Sequence, residues 1–217
     1  MKFEEWEPIY TEILSSFSFS RVDDERSAQI LASLVQRDDI SEAKRCVQNA
    51  EHIIVCGNAP CLRDDVSALL KDGSREKRFF IAADGASLVL HAEGLRPDII
   101  VTDLDGIYTA REVIYSMNQN GTILVIHAHG DNIALIQSFV PFCPGPIICT
   151  TQSEPFFHVY NFGGFSDGDR AVFFAHELGA KNVTLCGFDL DDEEVDPIKR
   201  GKLLWARRLL CMLGYEA

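Results

Sequence analysis

Two aspartates stand two residues apart in Thr102-Asp103-Leu104-Asp105-Gly106, just where the apolar run Asp98-Ile99-Ile100-Val101 ends. Further along, His127-Ala128-His129-Gly130-Asp131-Asn132 closes another apolar run, and Ala83-Asp84-Gly85-Ala86 closes an earlier one. Carboxylate oxygens are hard ligands, and several gathered on neighbouring loops are what Mg²⁺ takes, with water and substrate phosphates completing its shell. Without a cation, such a set repels itself. Taken singly, each aspartate reads equally as a helix cap or turn residue. Taken together, Asp84, Asp103, Asp105 and Asp131 form the expected metal centre. His127 and His129 sit at strand spacing and face the same way. Of the two, His129 lies nearer the loop and is the candidate to meet substrate or phosphate.

What must bring these residues together is a sheet whose strand ends share one edge. Short runs rich in Ile, Val, Leu, Phe and Cys occur at 52–56, 78–82, 98–102, 122–127, 146–149 and 182–186, with a seventh candidate at 158–162. They are nearly continuous rather than alternating, as expected for strands covered by helices on both faces. Helical patterns fill the intervals at 62–70, 86–93, 110–118, 133–140 and 169–178. This alternation predicts an α/β fold, an open and mainly parallel sheet with helices on both faces. Residues 1–50 are polar and helical in period, with Ile30, Leu31, Leu34 and Val35 in one stripe. They predict a small helical N-terminal unit packed on an α/β nucleotide-binding domain over 51–217. Leu203-Leu204-Trp205 with Leu209-Leu210 predicts an amphipathic C-terminal helix docked on the core.

In such sheets ligands bind outside the carboxyl ends of the strands. Gly57-Asn58-Ala59-Pro60-Cys61 follows the first strand, a small-residue turn able to present N–H groups to a phosphate. It lacks the Lys and spacing of a Walker A loop, and an ordinary turn with Pro at the helix start reads as well. Phe162-Gly163-Gly164-Phe165-Ser166-Asp167-Gly168-Asp169 is the most glycine-dense stretch and suits close approach to a flat ligand. There Ser166, Asp167 and Asp169 offer hydrogen bonds, and Asp169 is also placed to cap the next helix. Residues 189–196 hold six acids in eight positions and read as a solvated loop. Lys199, Arg200 and Lys202 follow, able either to reach a triphosphate or to neutralise that loop.

The 217 residues carry a net charge of -13, with 47% hydrophobic and 24% charged residues. That balance argues against nucleic acid as a partner. The seven cysteines form no CxxC pair and read as buried free thiols of a reducing compartment. With neither an apolar leader core nor a membrane-length apolar run, the expectation is a cytoplasmic protein that does not span a membrane. Homo-oligomerisation is left open.

Asp84-Gly85-Ala86, Pro97-Asp98 leading to Thr102-Asp103-Leu104-Asp105-Gly106, and Gly130-Asp131 resemble the acidic motifs of thiamin pyrophosphokinases. The fuller set of Gly-Asn-Ala-Pro, Thr-Asp-Leu-Asp-Gly, His-Ala-His-Gly-Asp-Asn and Gly-Gly-Phe-Ser-Asp-Gly-Asp-Arg-Ala is similar to archaeal 6-hydroxymethyl-7,8-dihydropterin pyrophosphokinases, over roughly residues 50–206. The resemblance implies transfer of the β,γ-diphosphate of ATP to the hydroxymethyl group of a reduced pterin, releasing AMP, with Mg²⁺ as cofactor and ATP as co-substrate. It makes Asp84, Asp103, Asp105 and Asp131 the metal and phosphate centre, with His129 or a carboxylate to accept the alcohol proton. Gly57, Asn58, Ala59, Pro60, Gly85, Asn132, Gly163, Gly164, Ser166, Asp167 and Asp169 would bind nucleotide and pterin. A thiamin or other small-alcohol pyrophosphokinase is the alternative, although Asp131-Asn132 is not followed by that group's usual Thr-Asp. A non-catalytic nucleotide-binding module and a His-assisted metal hydrolase are two further readings.

Overall fold

The computed structural model describes residues 1–72 and 78–215. Its apolar runs become strands β1 (Ile53–Cys56), β2 (Phe79–Ala83), β3 (Ile99–Thr102), β4 (Ile123–Ala128), β5 (Ile147–Thr151), β6 (Val159–Tyr160) and β7 (Val183–Cys186). They form one sheet in the order β6-β5-β4-β3-β2-β1-β7, with every strand pair parallel. Between them run α4 (Leu62–Leu69), α5 (Ala86–Ala92), α6 (Arg111–Gln119), α7 (Ile133–Phe139) and α8 (Asp167–Glu177), and α9 (Pro197–Met212) ends the fold. The expected strands and intervening helices lie where the periodicity put them, within a residue or two at most ends.

From β1 to β6 each step crosses the sheet in one direction, so right-handed crossovers keep α4 to α7 on one face. The chain then returns to the far side of β1, and the helix of that return, α8, covers the opposite face. Alternate strand residues serve the two layers. Ile54, Cys56, Phe80 and Ala82 pack on Leu62, Val66, Ala86 and Leu90 of α4 and α5. Ile53, Val55, Ile81, Ile99 and Val101 pack instead on Ala171, Val172, Phe174 and Ala175 of α8. Both faces being covered is why the strands read as unbroken apolar runs. Truncating a fully enclosed ring such as Phe174 to alanine would cost about 3–5 kcal/mol.

The N-terminal segment forms α1 (Phe3–Phe17), α2 (Arg21–Leu34) and α3 (Ile40–Asn49). Ala28 and Leu31 of α2 join the core of β3 to β5, α6 and α7, and Ala43 and Val47 of α3 join the α8 layer. Trp6, Tyr10 and Ile13 of α1 pack with Phe165, Phe173 and Leu209. The helical unit is thus packed into the same cores as the sheet, and it reaches the strand ends: Trp6 Nε1 donates to Gln152 O at 2.9 Å. In α9, Leu209 and Leu210 dock while Leu204 faces solvent. Glu216 and Ala217, at the end of the expected 51–217 domain, lie outside the described residues.

Candidate active site

The carboxylates gather at the carboxyl ends of β2 and β3 and at the start of α8. Asp84, the first residue after β2, adopts a left-handed φ of 45°, and Leu104 after β3 a φ of 81°. Non-glycine residues hold such conformations only where surrounding structure enforces them. Here the enforcing contacts are visible. Asp84 N donates to Val101 O at 2.8 Å, and Ser87 returns both its N and its Oγ to Asp84 O. Thr102 Oγ donates to Asp84 Oδ1 at 2.6 Å while accepting from Leu104 N at 2.8 Å. One hydroxyl therefore fixes both the Asp84 carboxylate and the turn that carries Asp103.

Asp84, Asp103 and Asp167 each present a carboxylate oxygen within 4.8 Å of the others. At an effective dielectric near 20, a pair of full charges at that spacing repels by about 3 kcal/mol. The protonation equilibria register the crowding. Burial, reinforced by Asp103 and Asp105 and opposed by the Thr102 hydrogen bond, pushes Asp84 up to about 6. Asp167 is pushed well above the carboxylate range, first by burial and then by Asp103. Burial also acts on Asp103, but the hydrogen bond and charge of His129 together with the charge of Arg170 outweigh it and hold that carboxyl low. Asp105 is raised by burial and by Asp103. An all-oxygen set with one anchored anion and two destabilised ones fits a hard divalent cation, and Asp84, Asp103 and Asp167 are the residues able to hold it.

A second ring of polar groups holds the first. His129 Nε2 lies 3.3 Å from Asp103 Oδ2, and its Nδ1 accepts from Asp131 N at 3.4 Å. With both nitrogens engaged, His129 orients Asp103. Asn132 donates to Asp103 O and to His127 O, at 2.8 and 2.7 Å. His127 itself is buried beneath the floor, with Nδ1 at 3.2 Å from Thr150 Oγ, and burial holds its pKa well below the usual histidine value. On the other flank, buried Asp24 accepts from Tyr10 OH (2.7 Å), Gly130 N (2.8 Å) and Gln152 Nε2 (2.8 Å). The far oxygen of Gln152 receives Arg170 at 3.4 Å, and Arg170 reaches Asp167 at 3.3 Å.

Of these groups, Asp84, Asp103, Asp167, His129, Gln152 and Arg170 line a cavity of about 600 Å³ that also takes in Asp105, Asp131, Phe19, Phe165, Lys199 and Lys202. Asp105 and Asp131 are exposed on its wall and lie outside the tight three-carboxylate cluster. A second cavity of about 190 Å³ adjoins it, lined by Gly57, Asn58, Ala59, Pro60, Gly168, Phe188 and Leu190. Ser166, Lys199 and Leu203 belong to both walls. A larger cleft of about 720 Å³ lies at the amino ends of the strands, between α5 and α6, where Glu112 is the one carboxylate among its described lining residues.

The other expected binding residues take the following places. The loop 57–60 borders the second cavity, with two of its N–H groups committed to backbone carbonyls. Gly57 N donates to Cys186 O and Ala59 N to Gly187 O, because β7 lies beside β1, and Pro60 has no N–H. Gly163 and Gly164 line neither cavity; a Cβ on Gly164 would meet the Arg170 backbone at 2.6 Å, so this glycine lets the chain cross the start of α8. Asp169 is fully buried and caps α8, accepting from Phe165 N at 2.5 Å and Ser166 N at 2.9 Å. Gly85 is kept free of a side chain by Asn58, whose Nδ2 a Cβ there would meet at 2.6 Å.

Sequence reading did not single out Gln152, Arg170, Phe19 or Asp24. Gln152 did stand in the strand-end segment after β5, and Arg170 in the motif with Asp167 and Asp169. Asp24 carries no local signal, since its partners lie 14 to 128 residues away.

Residues 25–195 match the family described as "6-hydroxymethylpterin diphosphokinase MptE-like". A protein of Methanothermobacter thermautotrophicus named 6-hydroxymethyl-7,8-dihydropterin pyrophosphokinase is 38% identical, over 97% of this chain and 94% of its own. Proteins of the same name from Pyrococcus furiosus (39% identity, 87% of this chain and 78% of its own) and Methanocaldococcus jannaschii (35%, 87% and 80%) also match. Among solved structures, the MAf glycosyltransferase from Magnetospirillum magneticum AMB-1 aligns with a TM-score of 0.47 and 16% identity, over 69% of this chain and 25% of that one, a likeness that carries no argument. With more than half its length matched by one family and three relatives above 30% identity over most of the chain, this protein belongs to the 6-hydroxymethylpterin diphosphokinase MptE-like family.

Proposed function

We propose that the protein transfers the β,γ-diphosphate of ATP to the hydroxymethyl group of 6-hydroxymethyl-7,8-dihydropterin, releasing AMP, with Mg²⁺ as cofactor. The observation that carries the reading is the convergence of Asp84, Asp103 and Asp167 within 4.8 Å, in a cavity large enough for a nucleotide, on a chain of this family. The three relatives named for the pterin reaction supply the acceptor.

In the reaction the acceptor oxygen bonds to the β-phosphorus as the bond from that phosphorus to the α,β-bridging oxygen breaks. The electron pair leaves on AMP, and the hydroxyl proton passes through a cavity carboxylate to water. Little covalent chemistry is asked of the protein; positioning and charge neutralisation do most of the work. Bound at Asp84, Asp103 and Asp167, Mg²⁺ would supply phosphate orientation and neutralise the developing charge. Thr102 and His129 hold two of those carboxylates in place, and Gln152 orients Arg170 beside the third. Phe19 and Phe165 give the cavity an apolar wall suited to a flat heterocycle. The chemistry suits the cytoplasm, and no described helix is long and apolar enough to cross a membrane.

Incubation with ATP, Mg²⁺ and either the reduced hydroxymethylpterin or thiamin tests the assignment by AMP release. The reading predicts AMP with the pterin alone. AMP with thiamin and not with the pterin would replace the acceptor, and no AMP with either would favour a binding module.

A further inference from the structure

We infer that Lys199 and Lys202, on the first turns of α9, hold the β- and γ-phosphates of the nucleotide donor, with Lys199 at the neck between the two cavities. The inference rests on the nucleotide-dependent reading above and adds residues that neither the acidic motifs nor the family resemblance assigns.

α9 carries five cations, and they divide by direction. Arg200 pairs with Glu193 at 3.7 Å, Arg207 with Asp191 at 2.5 Å and Arg208 with Glu12 at 2.7 Å, so these three neutralise surface acids. Lys199 and Lys202 form no ion pair among the described residues, and both line the larger cavity. Their i, i+3 spacing places them on one helix face. Leu203 and Ala206 continue that face along the smaller cavity. The start of the helix is fixed: Asp196 accepts from Ile198 N and Lys199 N at 2.9 and 3.0 Å, with Pro197 at the first position.

The acids around them, with Asp105 facing Lys202 and Asp196 facing Lys199, show why two lysines outside any close ion pair matter. The larger cavity is lined by Asp84, Asp103, Asp105, Asp131, Asp167 and Asp196. Against these, Arg170 is already engaged by Asp167 and Gln152. A polyphosphate entering this field needs cations besides a metal ion, and Lys199 and Lys202 are the wall cations without a close ion pair among the described residues. Ser166, Lys199 and Leu203 are shared by both cavities, so a chain reaching from one to the other passes the Lys199 ammonium.

Calorimetric titration of native protein, Lys199→Gln, Lys199→Arg and Lys202→Gln with Mg²⁺ and the β,γ-imido analogue of ATP, and separately with AMP, tests this. Each glutamine variant should bind the analogue roughly 10- to 100-fold more weakly, with AMP affinity changed less than about threefold. Lys199→Arg should recover most of the loss, and in turnover the KM for ATP should rise while that for the acceptor holds. Unchanged analogue binding in both glutamine variants, or equal losses for analogue and AMP, would overturn this inference and leave the diphosphotransferase reading standing. Failure of the native protein to bind the analogue at all would overturn both.

Discussion

The Asp84 carboxylate occupies the space that a side chain at position 106 would fill: a Cβ on Gly106 would collide with Asp84 Oδ2. The glycine that ends Thr102-Asp103-Leu104-Asp105-Gly106 thus serves the carboxylate of the neighbouring strand end as well as its own turn. Gly106→Ala should push Asp84 out of register with Asp103, and a displacement of about 1 Å in such a site costs on the order of 10²-fold in turnover. Steady-state assays alongside circular dichroism would separate this from misfolding. A variant with native turnover would show that the Asp84 position is not critical.

Charge removal at the cluster should cost activity and relieve the metal-free fold. Asp84→Asn and Asp103→Asn are expected to lower kcat by about 10²-fold or more. At neutral pH in EDTA, Asp84→Asn should also raise Tm by roughly 3–10 °C, as about 1–3 kcal/mol of repulsion and desolvation is lost. Scanning fluorimetry reads the shift, and a Tm lowered by the substitution would contradict the crowding.

The sign of the pH dependence follows from Asp84. Its folded pKa of about 6 lies above the unfolded carboxylate value, so the folded, metal-free protein holds the proton more tightly. The associated stability is present below about pH 4 and is lost as pH rises through 6, amounting to about 3 kcal/mol. In EDTA, the Tm difference between Asp84→Asn and native protein should therefore be small at pH 4.5 and positive at pH 7.5. An equal difference at both values would remove Asp84 as the titrating group.

Millimolar Mg²⁺ should stabilise native protein at pH 7.5, because a ligand that binds only the folded state raises Tm by mass action. The rise should vanish in Asp103→Asn. A Mg²⁺-induced shift of native size in that variant would place the cation elsewhere.

Asp24 ties the N-terminal helices to the site by accepting from Tyr10, Gly130 and Gln152. Asp24→Ala leaves three donors without their partner, at about 1–3 kcal/mol each where water does not replace it. Urea denaturation should show a loss of at least about 2 kcal/mol, with reduced turnover through freed Gln152 and Arg170. A loss under about 0.5 kcal/mol would mean that the buried contacts are replaceable.

The sheet was legible because strands buried on both faces leave unbroken apolar runs, and Asp84 and Asp103 stood out because they close two of those runs, whereas Asp167, at the start of α8, closes none. Partnerships set by topology were not legible. β7 beside β1 gives Gly187 O to Ala59 N, which commits that N–H to the backbone, and nothing local to Gly57-Asn58-Ala59-Pro60 announces it. Asp169 was legible as a helix cap, and it is spent on the start of α8; Asp167 was expected only to offer hydrogen bonds, and the fold alone shows it turned to Asp84 and Asp103. Asp131 followed β4 as Asp103 followed β3, yet the turn leaves it on the outer wall of the cavity.

Diphosphate transfer at the Asp84, Asp103 and Asp167 cluster is open to ³¹P NMR of a single reaction mixture. With ATP, Mg²⁺ and the reduced hydroxymethylpterin, native protein should produce AMP and a pterin diphosphate ester in equal amounts, and Asp103→Ala should produce neither. ADP with a monophosphate ester, or undiminished product from Asp103→Ala, would contradict it.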